Sequence, residues 1–362
     1  MGSIYEQIDQ KLADRIKMKN LRQLTIADAG FDFYSNDYLG LSKIKLTHIH
    51  SEKAGSSRLI AGNSELHGIV EAGIAKKYGS EGALIYTSGY VANLGLFSAI
   101  GFRNVVFIYD EACHASIKDG IRLSFAKGVS FRHNNLGDLE RALNQYDSFE
   151  KIVIVESLYS MNGDFAPLKK IQYLVQKFNS ELIVDEAHSC GLFEDKGYCE
   201  YVGIKDSIFA RILTFGKAFG SHGACVLGNH KLIQFLINFS RPFIYTTAIG
   251  QYQLNRIKAT VLDTDIQQYQ IELQNNISYF RKKVNTKYLD SDAKSPIQMI
   301  SINYFKDIFQ TEELLKSNGL NVKVILSPTV PIGKECIRIS IHAFNTFEQI
   351  DILTNILNDG WK

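Results

Sequence analysis

The chain has 362 residues, which is long enough for one large domain plus a smaller one. With 45% hydrophobic and 22% charged residues, it has the composition of an ordinary globular protein. Its 40 basic and 38 acidic side chains nearly cancel, so the charge gives no reason to expect nucleic acid or a membrane as a partner. Five cysteines without C-x-x-C spacing argue against a disulfide framework and a zinc site. With no apolar run of membrane-spanning length and no signal-peptide pattern, these features predict a cytoplasmic protein.

Residues 1–45 are predicted to form an N-terminal arm. A helical stretch in this arm concentrates basic side chains, namely Lys11, Arg15, Lys17, Lys19 and Arg22. Contact with an acidic ligand and a solvated helix face are equally consistent with this pattern.

From about residue 80, short apolar runs alternate with helical patterns. The runs are GALIYTS, NVVFIYD, KIVIVES, ELIVDEA and RILTFG. Continuous apolar runs of this length are typical of strands that are buried on both faces of a parallel sheet. Because helices separate them, the pattern predicts βαβ units and an α/β large domain, which we assign to residues 46–250.

The last third of the chain has a different pattern. MISINYF and CIRISIHA alternate between apolar and polar residues, which predicts strands with one covered face. DIQQYQIELQNNISYFRKKV and TFEQIDILTNIL are predicted helices, and Thr346 with Gln349 forms a candidate capping box for the second. We therefore predict a smaller α+β C-terminal domain over residues 251–362.

The residues that follow the predicted strands are chemically distinctive. In an open α/β sheet, ligands bind outside the carboxyl ends of the strands. In chain order these ends supply Ser88, Gly89 and Tyr90, then His114, then Ser157, Tyr159 and Ser160, then Asp185, Glu186 and His188, and finally Gly216 and Lys217. The small turn at residues 88–90 precedes a helix, whose N-terminus favours a phosphate group.

Pyridoxal 5'-phosphate (PLP) needs these groups together. Its aldehyde needs a lysine amine, its pyridine nitrogen needs a carboxylate that keeps it protonated, and its phosphate needs a helix N-terminus. Alone, Asp185 could be a helix cap, the two histidines could be core residues and Lys217 could be an exposed turn residue. Their joint occurrence at strand ends favours the cofactor, and neither a G-x-G-x-x-G nor a Walker motif offers another phosphate site.

Longer motifs surround these candidate residues. They are NDYLGLS, GSSRLIAGNSELHGIVEAGIAKKYG, TSGYVANLGLFSAI, DEACHASIKDGIRLS, ESLYSMNGD, LIVDEAHSCG, TFGKAFG and SPTVP with IRISIHAFNT. From about Asn36 to the C-terminus, the chain therefore resembles the α-oxoamine synthases. This resemblance implies a fold-type I PLP transferase, with a mainly parallel sheet in the large, PLP-binding domain and a smaller α+β domain.

The resemblance also implies a role for each candidate residue. Lys217 would hold PLP as a Schiff base and act as acid and base, Asp185 would bind the pyridine nitrogen, His188 the ring 3-oxygen, and His114 would stack on the ring. Further cofactor contacts would come from Ser88, Gly89, Tyr90 and Thr214 around the phosphate, from Glu156 lining the site, and from Thr246 or Thr247 of the neighbouring subunit. Asn36, Ser160 and Arg338 would bind the substrate carboxylate or the new ketone.

The implied reaction is a decarboxylating condensation of an amino acid with an acyl thioester of coenzyme A or acyl-carrier protein, in a homodimer with a shared active site. Within the family, the C-terminal pattern and the short chain are most like the biotin-pathway member, which uses L-alanine and a pimeloyl thioester. Leu326 and Ser327 stand where such relatives can have an arginine, which leaves open a synthase for glycine or serine with another acyl group. A PLP aminotransferase and a non-catalytic relative are the remaining alternatives.

Overall fold

The structure, a computed structural model, describes residues 3–18, 21–22, 30–46, 55–194, 196–204, 207–327, 330, 333 and 335–361. Lys19 of the basic stretch and part of the segment SPTVP lie outside the described residues. The chain divides into two compact units. The larger comprises Asn36–Asn275 and His342–Phe344, and the smaller comprises Met1–Ser35, Asn276–Ile341 and Asn345–Lys362.

The secondary structure alternates between helices and strands through most of the larger unit. The α-helices are α1 (Ile4–Lys17), α2 (Glu65–Lys77), α3 (Gly89–Ile100), α4 (Ala115–Arg122), α5 (Leu136–Gln145), α6 (Leu168–Lys177), α7 (Tyr198–Tyr201), α8 (His230–Phe239), α9 (Arg241–Ile244), α10 (Gln251–Ile257), α11 (Gln267–Lys283), α12 (Ile308–Ser317) and α13 (Phe347–Asp359). The strands are β1 (Phe31–Asp32), β2 (Gly82–Tyr86), β3 (Val105–Asp110), β4 (Lys127–Phe131), β5 (Glu150–Glu156), β6 (Glu181–Asp185), β7 (Ala210–Thr214), β8 (Ala224–Gly228), β9 (Ile297–Ser301), β10 (Leu320–Asn321), β11 (Lys323–Ile325) and β12 (Cys336–Ser340). In the described part of the chain, no helix is both long and apolar enough to cross a membrane.

The larger unit is built on a sheet of order β2-β8-β7-β6-β5-β3-β4. The pairs from β7 through β4 are parallel, whereas β8 is antiparallel to both β2 and β7. This mainly parallel sheet confirms the predicted α/β fold. Since β2, β3, β5, β6 and β7 all run in one direction, their carboxyl ends lie along one edge of the sheet.

All five predicted strands of the large domain are present as β2, β3, β5, β6 and β7. Most of their residues are buried, which explains why their sequences are continuous apolar runs rather than alternating ones. Two strands of the sheet, β4 and β8, were not predicted.

The smaller unit contains the antiparallel sheet β11-β12-β9 and the short parallel pair β1-β10. Both predicted C-terminal helices are present, and helix α13 begins at the predicted capping box, in which Thr346 and Gln349 bind each other's backbone N–H groups. The prediction of one exposed face is wrong for β12, because all five of its residues are buried.

The boundaries of the two units differ from the predicted domain boundaries at residues 45 and 250. Residues 251–275 belong to the larger unit, since helix α10 packs against helix α2 there. Residues 36–45 belong to it as well, and the buried side chain of Leu41 is part of its core.

Candidate active site

A cavity lies at the carboxyl ends of the parallel strands in the larger unit. Its volume of about 260 Å³ equals that of roughly nine liquid water molecules, so it can hold a ligand much larger than an ion. The predicted site residues that line it are Asn36, Ser88, Gly89, Tyr90, His114, Glu156, Asp185, His188, Thr214 and Lys217. The structure thus brings together side chains from five separate strand ends and from the segment that begins at Asn36.

One wall of the cavity is the N-terminus of helix α3. Ser88 caps this helix, because its hydroxyl accepts a hydrogen bond from the backbone N–H of Val91 at 3.3 Å. Close packing requires glycine at position 89, where a Cβ atom would lie 2.6 Å from Cγ2 of Thr214. The N–H groups of a first helical turn have no partner within the helix, and the helix dipole is positive there, so this wall suits a phosphate group.

Asp185 is the last residue of β6, and its carboxylate is buried. Oδ1 accepts the backbone N–H of Ala187 at 2.9 Å, and Oδ2 accepts Nδ2 of Asn93 at 2.9 Å. These two donors fix the plane of the carboxylate and compensate part of the free-energy cost of burying it. A cationic group in the cavity would compensate the remainder.

His114 caps helix α4 with its imidazole. Nδ1 accepts the backbone N–H of Ser116 at 3.2 Å and lies 2.8 Å from the Ser116 hydroxyl. Burial lowers the pKa of His114, which favours the neutral ring. Because Nδ1 is an acceptor, the single proton of that neutral ring belongs on Nε2. The rings of Tyr90 and His114 are nearly perpendicular to each other, with centroids 6.3 Å apart and planes at 84°.

Glu156 ends β5 and is buried beside these residues. Its Oε1 accepts the backbone N–H of His114 at 2.6 Å. Burial, followed by the negative charge of Asp185, raises the pKa of Glu156 to about 8. The Glu156 carboxyl is therefore mostly protonated at neutral pH.

Replacing Glu156 by Gln should remove a pH-dependent loss of stability. The pKa of Glu156 is about 8 in the folded protein against a usual 4.5, so the folded state should lose stability as the pH rises through this interval. Glutamine keeps an acceptor for the N–H of His114 and has no charge to bury. As the pH rises through that interval, the free energy of unfolding of Glu156→Gln should increase relative to that of wild type by about a few kcal/mol.

Urea unfolding of the cofactor-free protein measures this change when it is done at about pH 5 and at about pH 8. Glu150→Gln is the matched control, because Glu150 is exposed at the opposite end of the same strand. An identical pH dependence for wild type and Glu156→Gln would contradict the raised pKa.

His188 follows β6 and is oriented by Tyr38, a residue of the motif NDYLGLS that was not among the predicted site residues. Its Nδ1 lies 2.9 Å from the hydroxyl of Tyr38, and that hydroxyl can donate to Oδ1 of Asn36 at 3.1 Å. When the hydroxyl donates to Asn36, its oxygen accepts the Nδ1 proton of His188. Tyr38 thereby sets the ring orientation of His188, and when its hydroxyl donates to Nδ1 instead, the neutral ring has its proton on Nε2.

Lys217 lies in the turn that follows β7. This turn approaches the backbone of Ser42 so closely at Gly220, where φ is +52°, that a Cβ atom would collide with it. The guanidinium of Arg256 holds the two segments together by donating to four backbone carbonyl groups, those of Leu41, Ser42, Ile44 and Gly220. The Lys217 turn is therefore fixed relative to the segment that contains Asn36.

Four predicted site residues do not line this cavity. Ser160 lies in the turn after β5, which is closed by the hydrogen bond from Tyr159 N to Asp164 O at 3.0 Å. Thr246 and Thr247 line a separate, smaller cavity that also includes Arg58 and Thr87.

The fourth of these residues, Arg338, belongs to the smaller unit. It is buried on β12, and its Nη1 donates to Oγ of Ser340 at 2.9 Å. The solvated polar face that the alternation in CIRISIHA predicts is therefore wrong for Arg338, while the role of this arginine in binding the substrate stays a prediction.

The cavity is also lined by residues that were not among the predicted site residues, including Asn93, Ser116 and His222. The sequence offered a signal for Asn93, since it is a polar residue in the otherwise apolar stretch VANLGLF. This stretch follows the turn at residues 88–90, which was predicted to bind a phosphate group. A buried amide on such a helix needs hydrogen-bond partners, which indicates a polar site nearby.

Comparison with known proteins decides the family. The family model for aminotransferase class I and II matches residues 29–357. The putative 8-amino-7-oxononanoate synthase of Acetivibrio thermocellus is 34% identical over 342 residues, which cover 91% of this chain and 88% of that protein. This chain belongs to the α-oxoamine synthases, within the aminotransferase class I and II family.

Solved structures of two α-oxoamine synthases have the same fold. A serine palmitoyltransferase from S. paucimobilis with a bound PLP–myriocin aldimine has a TM-score of 0.89 and 25% identity, covering 99% of this chain and 98% of that one. The 8-amino-7-oxononanoate synthase of Francisella tularensis has a TM-score of 0.76 and 29% identity, covering 92% and 98%. The fold is thus that of the fold-type I PLP enzymes.

As a member of this family, the protein is a PLP-dependent acyltransferase, and its cavity residues fit the cofactor. Lys217 would supply the amine, Asp185 would supply a buried carboxylate for the pyridine nitrogen, and the N-terminus of α3 would supply the phosphate site. Oδ1 of Asn93 is buried without a hydrogen-bond partner among the described residues. Such an atom in a lining residue is expected where a bound ligand or water completes the site.

Proposed function

We propose that this enzyme joins L-alanine to a pimeloyl thioester and yields 8-amino-7-oxononanoate for biotin biosynthesis. A bond forms between the alanine α-carbon and the acyl carbon, while the thioester and the bond to the alanine carboxylate break, releasing a thiol and carbon dioxide. The observation that carries this proposal is the similarity to 8-amino-7-oxononanoate synthases, at 34% identity over 91% of the chain. Coenzyme A or an acyl-carrier protein would be the thiol.

The chemistry at the amino acid would depend on Lys217 and Asp185. When bound, PLP supplies an electron sink for the charge that develops at the amino-acid α-carbon. Lys217 Nζ would anchor the cofactor covalently, then remove the α-proton and later return a proton to the product. Asp185, fixed by its two hydrogen-bond donors, would hold the proton on the pyridine nitrogen.

The remaining cavity residues would orient the cofactor. The first turn of helix α3 at Ser88, Gly89 and Tyr90 would bind the phosphate together with Thr214, and Glu156 would line the site. The neutral ring of His114 would stack on the cofactor ring. Nε2 of His188 would bind the ring 3-oxygen, since Nδ1 is already paired with Tyr38.

The substrate carboxylate or the new ketone would be bound by Asn36, Ser160 and Arg338. Asn36 lines the cavity, and its amide is oriented by Tyr38. A guanidinium matches a carboxylate with two parallel hydrogen bonds, which makes Arg338 the strongest of the three candidates for the carboxylate.

A second candidate function is the condensation of L-serine with a long-chain acyl thioester. The observation that favours it is the TM-score of 0.89 with the serine palmitoyltransferase, against 0.76 with the 8-amino-7-oxononanoate synthase. We rank it second, because sequence identity is higher for the 8-amino-7-oxononanoate synthases, at 34% and 29% against 25%.

A matrix of amino acids and thioesters separates these functions. PLP-loaded enzyme is incubated with alanine, glycine or serine, each with pimeloyl-CoA, palmitoyl-CoA or no thioester, and thiol release and product mass are measured. We expect the highest kcat/KM for alanine with pimeloyl-CoA, and glycine lower by only about 10–200-fold, because one methyl group discriminates no better.

Each contrary result of the matrix identifies a different function. A preference for serine with palmitoyl-CoA would establish the second candidate. Amino transfer to a keto acid without thiol release would make the protein an aminotransferase. The same matrix with a pimeloylated acyl-carrier protein identifies the carrier.

We further propose that the enzyme is a homodimer whose subunits complete each other's active sites. Thr246 and Thr247 are implied contacts of the cofactor phosphate, yet within one chain they line a different cavity from Asp185 and Lys217. A neighbouring subunit would bring its threonines to this phosphate, and Arg58 and Thr87 lie beside them in the smaller cavity.

Mixing two inactive variants should restore activity if the sites are shared. One variant is Lys217→Ala and the other is the double variant Thr246→Ala, Thr247→Ala. In a mixed dimer, one site combines an intact lysine from one chain with intact threonines from the other, whereas the second site has both defects. Turnover of the refolded mixture should exceed that of either variant alone, and a mixture no more active than its components would place the threonines in their own chain's site.

A further inference from the structure

Asn93 connects two strand ends that hold different parts of the site. It lies on helix α3, it is buried, and its Nδ2 donates to Oδ2 of Asp185 at 2.9 Å and to Oγ of Ser116 at 3.0 Å. Asp185 ends β6, while Ser116 lies in the first turn of α4, which follows β3. One side-chain amide therefore joins three elements of the larger unit.

The chemistry of the three groups fixes the orientation of this amide. An amide nitrogen has two protons, and here both have an acceptor, a carboxylate and a hydroxyl oxygen. The reversed amide would place its carbonyl oxygen against the Asp185 carboxylate, where two acceptors would repel each other. In the observed orientation, the contacts of Asn93 Nδ2 with Asp185 and with Ser116 are both hydrogen bonds.

The chain of hydrogen bonds continues from Ser116 to His114. The Ser116 hydroxyl accepts from Asn93, so its own proton is available for Nδ1 of His114 at 2.8 Å. The backbone N–H of Ser116 points to the same nitrogen at 3.2 Å. Two donors at Nδ1 hold the imidazole proton on Nε2 and fix the ring plane.

We propose that Asn93 is a positioning residue that holds Asp185 and His114 as one unit through its amide and the Ser116 hydroxyl. In the cofactor placement proposed above, on which this inference rests, Asp185 faces the pyridine nitrogen and His114 faces the ring. Asn93 then sets the carboxylate plane that keeps the pyridine nitrogen protonated, and through Ser116 it sets the tautomer of the stacking imidazole.

Two variants separate the two arms of this connection. Asn93→Ala removes both hydrogen bonds and leaves Oδ2 of Asp185 without its donor, so the carboxylate becomes more basic and competes for the pyridine proton. Ser116→Ala leaves the bond between Asn93 and Asp185 in place and removes only the hydroxyl next to His114. Asn238→Ala is the control, because Asn238 is an exposed helical asparagine of α8 whose Nδ2 donates to the carbonyl of Gln234 at 2.8 Å.

The pyridine nitrogen can be observed directly with PLP that carries ¹⁵N in its ring. For Asn93→Ala we expect the ¹⁵N signal to move from the protonated toward the neutral pyridine position. We also expect the dissociation constant of PLP to rise by roughly tenfold or more, since a carboxylate that Asn93 no longer orients makes a weaker charge-assisted hydrogen bond to the pyridine nitrogen. Ser116→Ala should keep the wild-type pyridine signal but shift the ring-nitrogen signals of His114 away from the Nε2–H tautomer.

Folding is checked by circular dichroism and thermal unfolding of the cofactor-free proteins. If Asn93→Ala does not fold, Asn93→Leu is used instead, because its branched side chain resembles asparagine in shape, places no charge beside Asp185 and donates no hydrogen bond. Wild-type ¹⁵N signals and PLP affinity in the folded Asn93 variant would overturn the inference. The cofactor placement itself would fail in another way, through a neutral pyridine nitrogen in the wild type or unchanged PLP affinity in Lys217→Ala.

Discussion

Lys217→Ala should abolish turnover and the covalent attachment of PLP while the protein remains folded. The lysine amine is the anchor and the proton-transfer group in the proposed reaction, so the variant lacks two functions at once. Loss of a residue that is both nucleophile and base lowers kcat by roughly 10⁴-fold or more. The measurement is thiol release from pimeloyl-CoA with L-alanine, combined with the visible absorption of the PLP-loaded protein.

Lys231→Ala is the matched control, because Lys231 is exposed on helix α8 of the same unit. It should keep wild-type turnover and wild-type absorption. Turnover near the wild-type level in Lys217→Ala would remove this lysine from the reaction.

Asp185→Asn should slow removal of the α-proton much more than it weakens binding of PLP. Asparagine is close in volume and can still accept the N–H of Ala187, and the phosphate wall at Ser88 and Gly89 is unchanged. What is lost is the negative charge that, in the proposed reaction, holds the pyridine proton and so maintains the electron sink. Removal of one preorganised electrostatic group lowers the rate by about 10²–10³-fold.

Exchange of the L-alanine α-proton with deuterated water, followed by proton NMR in the absence of thioester, measures this step alone. Equilibrium dialysis gives the dissociation constant of PLP for the same variant. Asp147→Asn, an exposed aspartate before β5, is the control. An unchanged exchange rate in Asp185→Asn would refute the role proposed for this carboxylate.

The strands that position the site could be predicted because they are buried on both faces. Continuous apolar runs such as VVFIYD have a clear signal, and the residues that follow them form the cavity once the strands are parallel. Strand β4 lacked this signal, since it is an edge strand with four of its five residues exposed or half-buried. Strand β8 is apolar and as long as β2, β6 and β7, but its antiparallel position between β2 and β7 depends on contacts far apart in the sequence.

The parts of the site that sequence reasoning missed are those that act through other residues. Asn93 and Ser116 carry no motif of their own, and their meaning comes from distances to Asp185 and His114 that only the fold creates. Tyr38 was visible within NDYLGLS, but its pairing with His188 joins residues 150 positions apart. Residues that would contact the cofactor follow strand ends, whereas residues that orient them can lie anywhere in the core.

The β12 strand shows a limit of the alternation pattern. Arg338 and Ser340 share the polar face of CIRIS, which predicts an exposed face, yet both are buried and hydrogen-bonded to each other. A buried arginine needs several partners for its five N–H donors. The partners of such an arginine can be groups of the protein or of a bound ligand, so a buried polar face is compatible with a binding role and with a structural role.

Covalent labelling of the cofactor's lysine tests the central claim most directly. The PLP-loaded protein is reduced with borohydride, which converts a linkage between the cofactor and a lysine amine into a stable bond, and is then digested and sequenced by mass spectrometry. We expect the phosphopyridoxyl group on Lys217, in the peptide that contains TFGKAFG. A label on another lysine, or PLP that binds without any label, would contradict the assignment of this cavity as the active site.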